Sequence, residues 1–587
     1  MSVAGTPDAG TPAAVTPSFG RGSEIGLAGT LVLGAGAAAA IYVIAVPLGM
    51  LLITAFSGPA DVLPFEPGAV WSLEHVVAVY TDPVIYGSLI PDTLIFAAGA
   101  VSVCFVTAFV LAWLVERTDL PGREIVFTLV VFPLLVPSVV LAMAWILMFG
   151  PNSGFVNLAL RGIVGGEQGP LNIFSMPGLV LAQAMASTPY VFLLLSAVFR
   201  SMNPSLEEAS AASGASLWRT FFRVTLPVLR PGILAPLILI ALITLEQFDL
   251  PLIIGLPAQI NVFSARIWWE LNPTNGLPNY GRAAAVGLPF LALGMLLLVV
   301  YNRLIRQSGA FVTVTGKGYR PGRFALGRWR APALAFAWGY IAVAALLPAL
   351  VLIWTSVFGY SVPSIEQLAR GSIAAYAKLF QDSDFWNAVR NTLIVAASSA
   401  AVIVVIGALL AWIVVRTKMP GRKILDFVSF MSIGIPSVIA GLAAMLFYLT
   451  LKIGVYGTVW VLALAYSYRI ATATRLGRAG LMQIHGELEE ASYASGGHWF
   501  TTLRRVVVPL LAPSLVAAYV LLFIVGVREF TIPLVLFSPE NEVLSVMFWR
   551  LFSNGLLRES SALGFVIIAL VLPVIFLARR VLYSRGP

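Results

Sequence analysis

The chain has 587 residues, of which 59% are hydrophobic and 11% charged, with a mean hydropathy of +0.91. A water-soluble chain carries roughly 25% charged residues, so most of this one is shielded from water. The formal charge of +9 fits basic cytoplasmic loops of a membrane protein better than a nucleic-acid surface, and a single cysteine, Cys104, excludes an internal disulfide and a multi-cysteine metal site.

Residues 1–26 are rich in Pro, Ala, Gly, Thr and Ser and read as a disordered cytoplasmic tail. No basic segment precedes a short apolar core there, so the stretch is a poor signal peptide. Beyond it, apolar runs and Pro/Gly/polar clusters divide the chain into about 12 spans, each near the ~20 residues that cross a bilayer. The first six cover approximately 27–56, 93–115, 126–149, 176–199, 232–254 and 283–305. The second six cover approximately 332–358, 391–415, 424–450, 454–474, 511–536 and 562–583. The expected fold is therefore an all-α membrane protein, with domains at 27–306 and 332–587 joined by a basic linker at 307–331.

The two domains are copies. Ala112 to Thr118, followed by Pro121-Gly122-Arg123, recurs 299 positions on (112 to 411) as Ala411 to Thr417, followed by Pro420-Gly421-Arg422. Val136-Pro137-Ser138 recurs at the same offset as Ile435-Pro436-Ser437, inside span three of each half, where Pro is expected to kink the helix, as a hinge or a static kink, and Ser can satisfy the freed backbone groups. Later matches sit 282 positions apart (208 to 490), which fits a longer loop near 152–172 in the first half. Six spans per half make the repeat parallel, with its pseudo-twofold axis along the membrane normal, and a substrate path is expected where the halves meet. Most of the 36 Lys and Arg fall in loops on one side, while 57–92 has none, so both termini are expected in the cytoplasm of a bacterial inner-membrane protein.

The most specific signal is a segment present twice on that side. Glu208-Ala209-Ser210, then Gly214, then Pro227 matches Glu490-Ala491-Ser492, then Gly496, then Pro509, at identical spacing. Ser205 to Glu208 reads as a capping box opening a helix, Gly permits a tight bend, and Pro is expected to stop a second short helix before the next span. One copy alone could be an amphipathic loop lying on headgroups; two matched copies point to a docking element. Charged groups inside spans are expensive and mark function or packing. Span five holds Glu246, Gln247 and Asp249, and span eleven holds Arg528 and Glu529 at the offset of 282. Glu246 thus aligns with Arg528, and the opposite signs predict contact across the pseudo-twofold axis, as gate residues, pathway residues or a structural ion pair.

The doubled segment is similar to the EAA loop of permeases in binding-protein-dependent ABC importers, and the layout most resembles fused permeases of the iron(III) type. The resemblance covers nearly the whole chain after the tail. It implies the type I importer permease fold in two parallel six-helix repeats. It also implies that Glu208, Ala209, Gly214 and Pro227, with Glu490, Ala491, Gly496 and Pro509, form coupling helices for two ABC ATPase subunits, and that a periplasmic solute-binding protein delivers the solute, ferric iron being the first expectation. Ser210 and Ser492 stand where that family usually has Ala. No P-loop is present, because Gly316-Lys317-Gly318 lacks the required spacing and hydroxyl residue; ATP and Mg would bind the partner. No catalytic constellation and no metal-ligand spacing is visible. A 12-span secondary transporter driven by an ion gradient is the alternative, but it gives no reason for paired EAA loops.

Overall fold

The computed structural model describes residues 26–583 apart from 60–61, 166–168, 202–204, 274, 309–323, 361–364 and 418. The expected tail, but for Gly26, and the middle of the expected linker lie outside the described residues. Helices dominate; the only strands among the described residues are the two-residue pair Ser57–Gly58 and Val70–Trp71. Among the described residues seven helices are long and apolar enough to cross a membrane, and ten segments qualify if each of three bent pairs is one span. The other two expected spans correspond to Val459–Tyr466 running through Ile470–Gln483, and to Leu557–Tyr583.

Span three of each half is broken, not merely kinked. Arg123–Leu135 meets Ser138–Phe149 at 104°, and Arg422–Gly434 meets Ser437–Leu451 at 111°. The extended residues Val136 and Ile435 and the prolines after them forbid continuous helix there. The broken segments still cross. Arg200, at the end of Met176–Ser201, bonds Glu116 at 2.8 Å beside the end of Ile90–Arg117, so these helices finish at the same face of the bundle. Residues 123–175 must therefore return the chain to the opposite face, which keeps the repeat parallel.

The longer first-half loop contains Phe155–Val164. Asn157 ties this helix down, donating to the carbonyls of Gly150 and Leu171 at 2.9 and 2.6 Å. Near the end of the linker, Phe324 lies alongside Thr118 as a parallel bridge, and Leu326 N–H donates to Asp119 at 2.8 Å. The end of the linker is thus strapped to the first half.

The opening span of each half packs on the other half. Gly26–Ala55 lies against Ser437–Leu451 and Ser383–Arg416, with the Tyr42 and Tyr448 hydroxyls 3.2 Å apart. In return Arg330–Ile341 and Leu347–Phe358 lie against Arg123–Val131 and Ser138–Phe149, and Tyr340 donates to the Met185 carbonyl at 3.2 Å. Between the halves Gly294 faces Gly434 backbone to backbone, where a Cβ on Gly294 would overlap the Gly434 carbonyl; small residues permit this close crossing. One apolar core therefore runs across both repeats.

Candidate functional site: a polar cavity on the pseudo-twofold axis and two exposed helix knobs

Helices Leu226–Glu246 and Val508–Arg528 end in the same way. Gln247 (φ −62°, ψ 130°) and Glu529 (φ −65°, ψ 130°) turn extended, and their N–H groups reach back to Thr244 and Gly526. Each exposed carbonyl is satisfied by a serine: Ser264 donates to Gln247 at 2.7 Å and Ser545 to Glu529 at 2.6 Å. These breaks open a cavity of about 240 Å³ between the halves. All five sequence candidates, Glu246, Gln247, Asp249, Arg528 and Glu529, line it, together with Ser138, Ser437 and Arg469.

The corners at Pro137 and Pro436 aim two helix amino termini at this cavity, with Ser138 and Ser437 as first residues. Such ends carry partial positive charge and orphan N–H groups, so they favour carboxylates. The two carboxylates of the first half take those places. Asp249 accepts from Ser138 and, across the axis, from Thr531 at 3.0 Å. Glu246 accepts from Ser437 of the second half at 2.8 Å. Arg528 crosses the other way and donates to the Val136 carbonyl at 2.8 Å.

The expected contact between Glu246 and Arg528 is not made; the bonds that cross the axis run to other partners. Each side chain at the matched position reaches the opposite half's Pro-Ser corner, and Glu246 does not pair with Arg528. The reason is local: the freed hydroxyl and carbonyl at each corner lie closer than the opposite side chain. Glu529 instead pairs with Arg469 at 2.6 Å, with side chains 8% and 19% exposed. Arg469 also donates to the hydroxyls of Ser437 at 3.0 Å and Tyr468 at 3.2 Å. Sequence reasoning did not single out Arg469, which falls near the end of the expected span 454–474. The helical segment continues to Gln483, and that length was the missed signal.

Rings cover one side of the cavity. Phe248 and Phe530, matched residues, have centroids 6.3 Å apart, and each meets a matched tryptophan, Trp268 at 6.3 Å and Trp549 at 6.1 Å. Those tryptophans line a second cavity of about 420 Å³. Four rings thus separate the polar cavity from the second one. Among the described residues no three His, Cys, Asp or Glu gather closely enough to hold a metal ion.

The doubled segments lie at the other end of the bundle, on one common face. Phe324 N–H bonds the Arg117 carbonyl at 2.9 Å, Gly327–Phe358 crosses away from that face, and Ser383–Arg416 crosses back. Helices Ser205–Ala212 and Glu487–Ala494 stand there, with Glu208, Ala209, Glu490 and Ala491 exposed. Gly214 (φ +78°) and Gly496 (φ +83°) make the bend after each helix, in open space. Ser210 bonds Thr220 at 2.9 Å, and Ser492 bonds Thr502 at 2.8 Å, so the serine in place of alanine stitches the two arms of each knob.

The preceding glutamates turn inward. Glu207 pairs with Arg117, and Glu489 pairs with Arg416 at 2.9 Å. Burial pushes the Glu489 carboxyl above its ordinary value, while Arg416 pulls it back. The prolines do not stop a second helix, against expectation. Pro227 and Pro509 sit in the first turns of Leu226–Glu246 and Val508–Arg528, and π-turns at Phe221–Thr225 and Leu503–Val507 carry the helix into each of them. A proline in a first turn lacks only an N–H that has no partner anyway, so each knob's second arm is the start of the next span.

Comparison with known proteins matches the family "binding-protein-dependent transport system inner membrane component" twice, at residues 105–310 and 403–584. The chain is 26% identical over 523 residues to the ferric transport system permease protein FbpB of Actinobacillus pleuropneumoniae, covering 87% of this chain and 73% of that one. It is 24% identical over 446 residues to the Fe(3+)-transport system permease protein FbpB 2 of Haemophilus influenzae, covering 75% and 79%. A crystal structure of a bacterial ABC transporter importing alginate aligns at 18% identity with a TM-score of 0.36, over 46% of this chain and all of that one. The two family matches, one in each repeat and together more than half of the chain, mean that it belongs to the binding-protein-dependent inner membrane components, as a fused, multi-pass permease subunit of an ABC importer.

Proposed function

We propose that this permease imports ferric iron, taking it from a solute-binding protein at the outer cavity and releasing it to the cytoplasm, with both chain termini on the cytoplasmic side. Two ATPase subunits, which bind the ATP and Mg, dock on the paired knobs. The observation that carries this reading is the pair of equivalent knobs, each presenting Glu208-Ala209 or Glu490-Ala491 and a left-handed glycine outward at one face. Exposed Leu206 and Leu488, at matched positions on the two helices, add apolar contact of the kind a protein partner covers. The ferric assignment draws on the relatives named above and on the cavity's hard oxygen donors, Glu246, Asp249, Ser138 and Thr531. In this mechanism ATP-driven closure of the motor moves the knobs. The ring layer opens outward in one state, and the cavity empties inward in the other.

The test is uptake of labelled ferric ion into proteoliposomes containing the chain, its ATPase and its binding protein. Uptake that requires ATP and the binding protein is expected. Uptake that continues without the ATPase and collapses with a proton uncoupler would overturn the reading in favour of a secondary transporter.

A further inference from the structure

The repeated Arg-Thr at the end of the second span of each half, Arg117-Thr118 and Arg416-Thr417, takes no part in the cavity or in the docking face. It lies instead where a spanning helix meets a knob. Arg117 is the last residue of Ile90–Arg117, and Arg416 is the last of Ser383–Arg416. Their partners Glu207 and Glu489 lie in the first turns of the knob helices. A cation at a helix carboxyl end and an anion at a helix amino end are each favourable to the local dipole, so the pair joins two helices end to end. The side chains are 2% and 4% exposed in the first joint and 6% and 0% in the second.

A buried ion pair is a poor source of stability, since an apolar pair of similar volume does as well or better. What it supplies is direction: the guanidinium holds one carboxylate in one geometry. Each joint is further fixed. Thr225 donates to Glu207 at 2.6 Å, and Arg416 donates to the carbonyls of Leu481 and Ile484 at 3.1 and 2.6 Å.

The far ends of the same two helices hold the outer side of the path. Thr93 accepts from Phe263 N–H at 3.2 Å, and Thr392, its match, accepts from Leu544 N–H at 2.9 Å. Those contacts lie just ahead of Trp268 and Trp549, the outer rings of the aromatic layer. The helices are about 42 and 51 Å long at 1.5 Å per residue. Each therefore reaches from a knob to the ring layer without a described break.

We propose that Arg117–Glu207 and Arg416–Glu489 are force-transmitting joints, which convert movement of the ATPase-docked knobs into movement of two lever helices that open and close the ring layer. This rests on the docking role proposed above. All four are positioning residues: they touch neither solute nor nucleotide.

The experiment uses the complete importer in proteoliposomes and measures solute taken up per ATP hydrolysed. Glu489→Gln, and separately Arg416→Met with Glu489→Leu, which keeps the joint buried and apolar, are compared with the wild type. Both are expected to bind the ATPase and hydrolyse ATP while uptake per ATP falls by about tenfold, within the range of coupling between sites. The charge-reversed pair, Arg416→Glu with Glu489→Arg, is expected to recover part of the ratio. An unchanged ratio in the apolar double variant would overturn the proposal, as would a parallel loss of hydrolysis and uptake. Absence of ATP-driven uptake by the wild type would instead remove the docking reading, so the two failures are distinct.

Discussion

Arg469 is the ion-pair partner of Glu529 inside the bundle. The pair is largely buried, and the matched first-half positions are the uncharged Ser187 and Gln247, so the charge on this wall comes from one half only. Removing one partner of a buried pair costs about 3–5 kcal/mol, while removing both in favour of neutral groups is far milder. Arg469→Met should therefore lower the thermal midpoint of the purified protein clearly, and Arg469→Met with Glu529→Gln should restore most of the loss. Equal midpoints for the single and double variants would show that the carboxylate finds another partner. Glu246 and Asp249 differ in kind: the bonds that hold them come from hydroxyl groups at helix amino termini and on Thr531. Sequence reasoning picked out both because a carboxylate inside a span is expensive. It missed Arg469, which stands at the edge of an apolar run.

The same limit appears in the elements. Apolar length located the spans, but it could not tell a 104° break from a kink, because the hydrophobic signal is continuous across Pro137. The knob helices were foreseeable as helices, from Glu in the first turn and Gly at the bend. Which glutamate stays exposed was not, since Glu207 and Glu208 are adjacent and only packing turns one inward. Gly496 marks where backbone geometry rules. Its φ of +83° lies in open space, so a side chain meets no neighbour but the backbone itself is strained, by about 1–2 kcal/mol. Gly496→Val is expected to reduce ATPase co-purification and uptake. Gly49→Ala, with equal space but inside helix Gly26–Ala55, should leave both unchanged or stabilise slightly. Identical behaviour of the two variants would remove the role given to the bend.

For the whole molecule, exchange of the opening spans makes the halves interdependent. Gly26–Ala55 covers helices of the second half, and Arg330–Phe358 covers helices of the first. The covalent linker is therefore not what holds the halves together. A chain cut within 309–323 and expressed as two pieces should assemble, with a tagged first half retaining the second through purification in detergent. Deleting 26–55 should abolish that retention. Halves that separate when the linker is cut would show that the swapped spans contribute little.

The duplicated sequence by itself determined the all-helical membrane class, the parallel repeat, the two matched Glu-Ala-Ser segments and the in-membrane charges near residues 246–249 and 528–529. Each is written in composition, periodicity or a repeated spacing, which are properties of neighbours along the chain. Only the tertiary structure decided that those charges meet the opposite half's Pro-Ser corners, that Arg469 closes the set, and that two arginines grip the knobs. Glu246 and Ser437 are 191 positions apart. Pairs at such distances are set by how helices pack and where they break, and neither is encoded in local propensity.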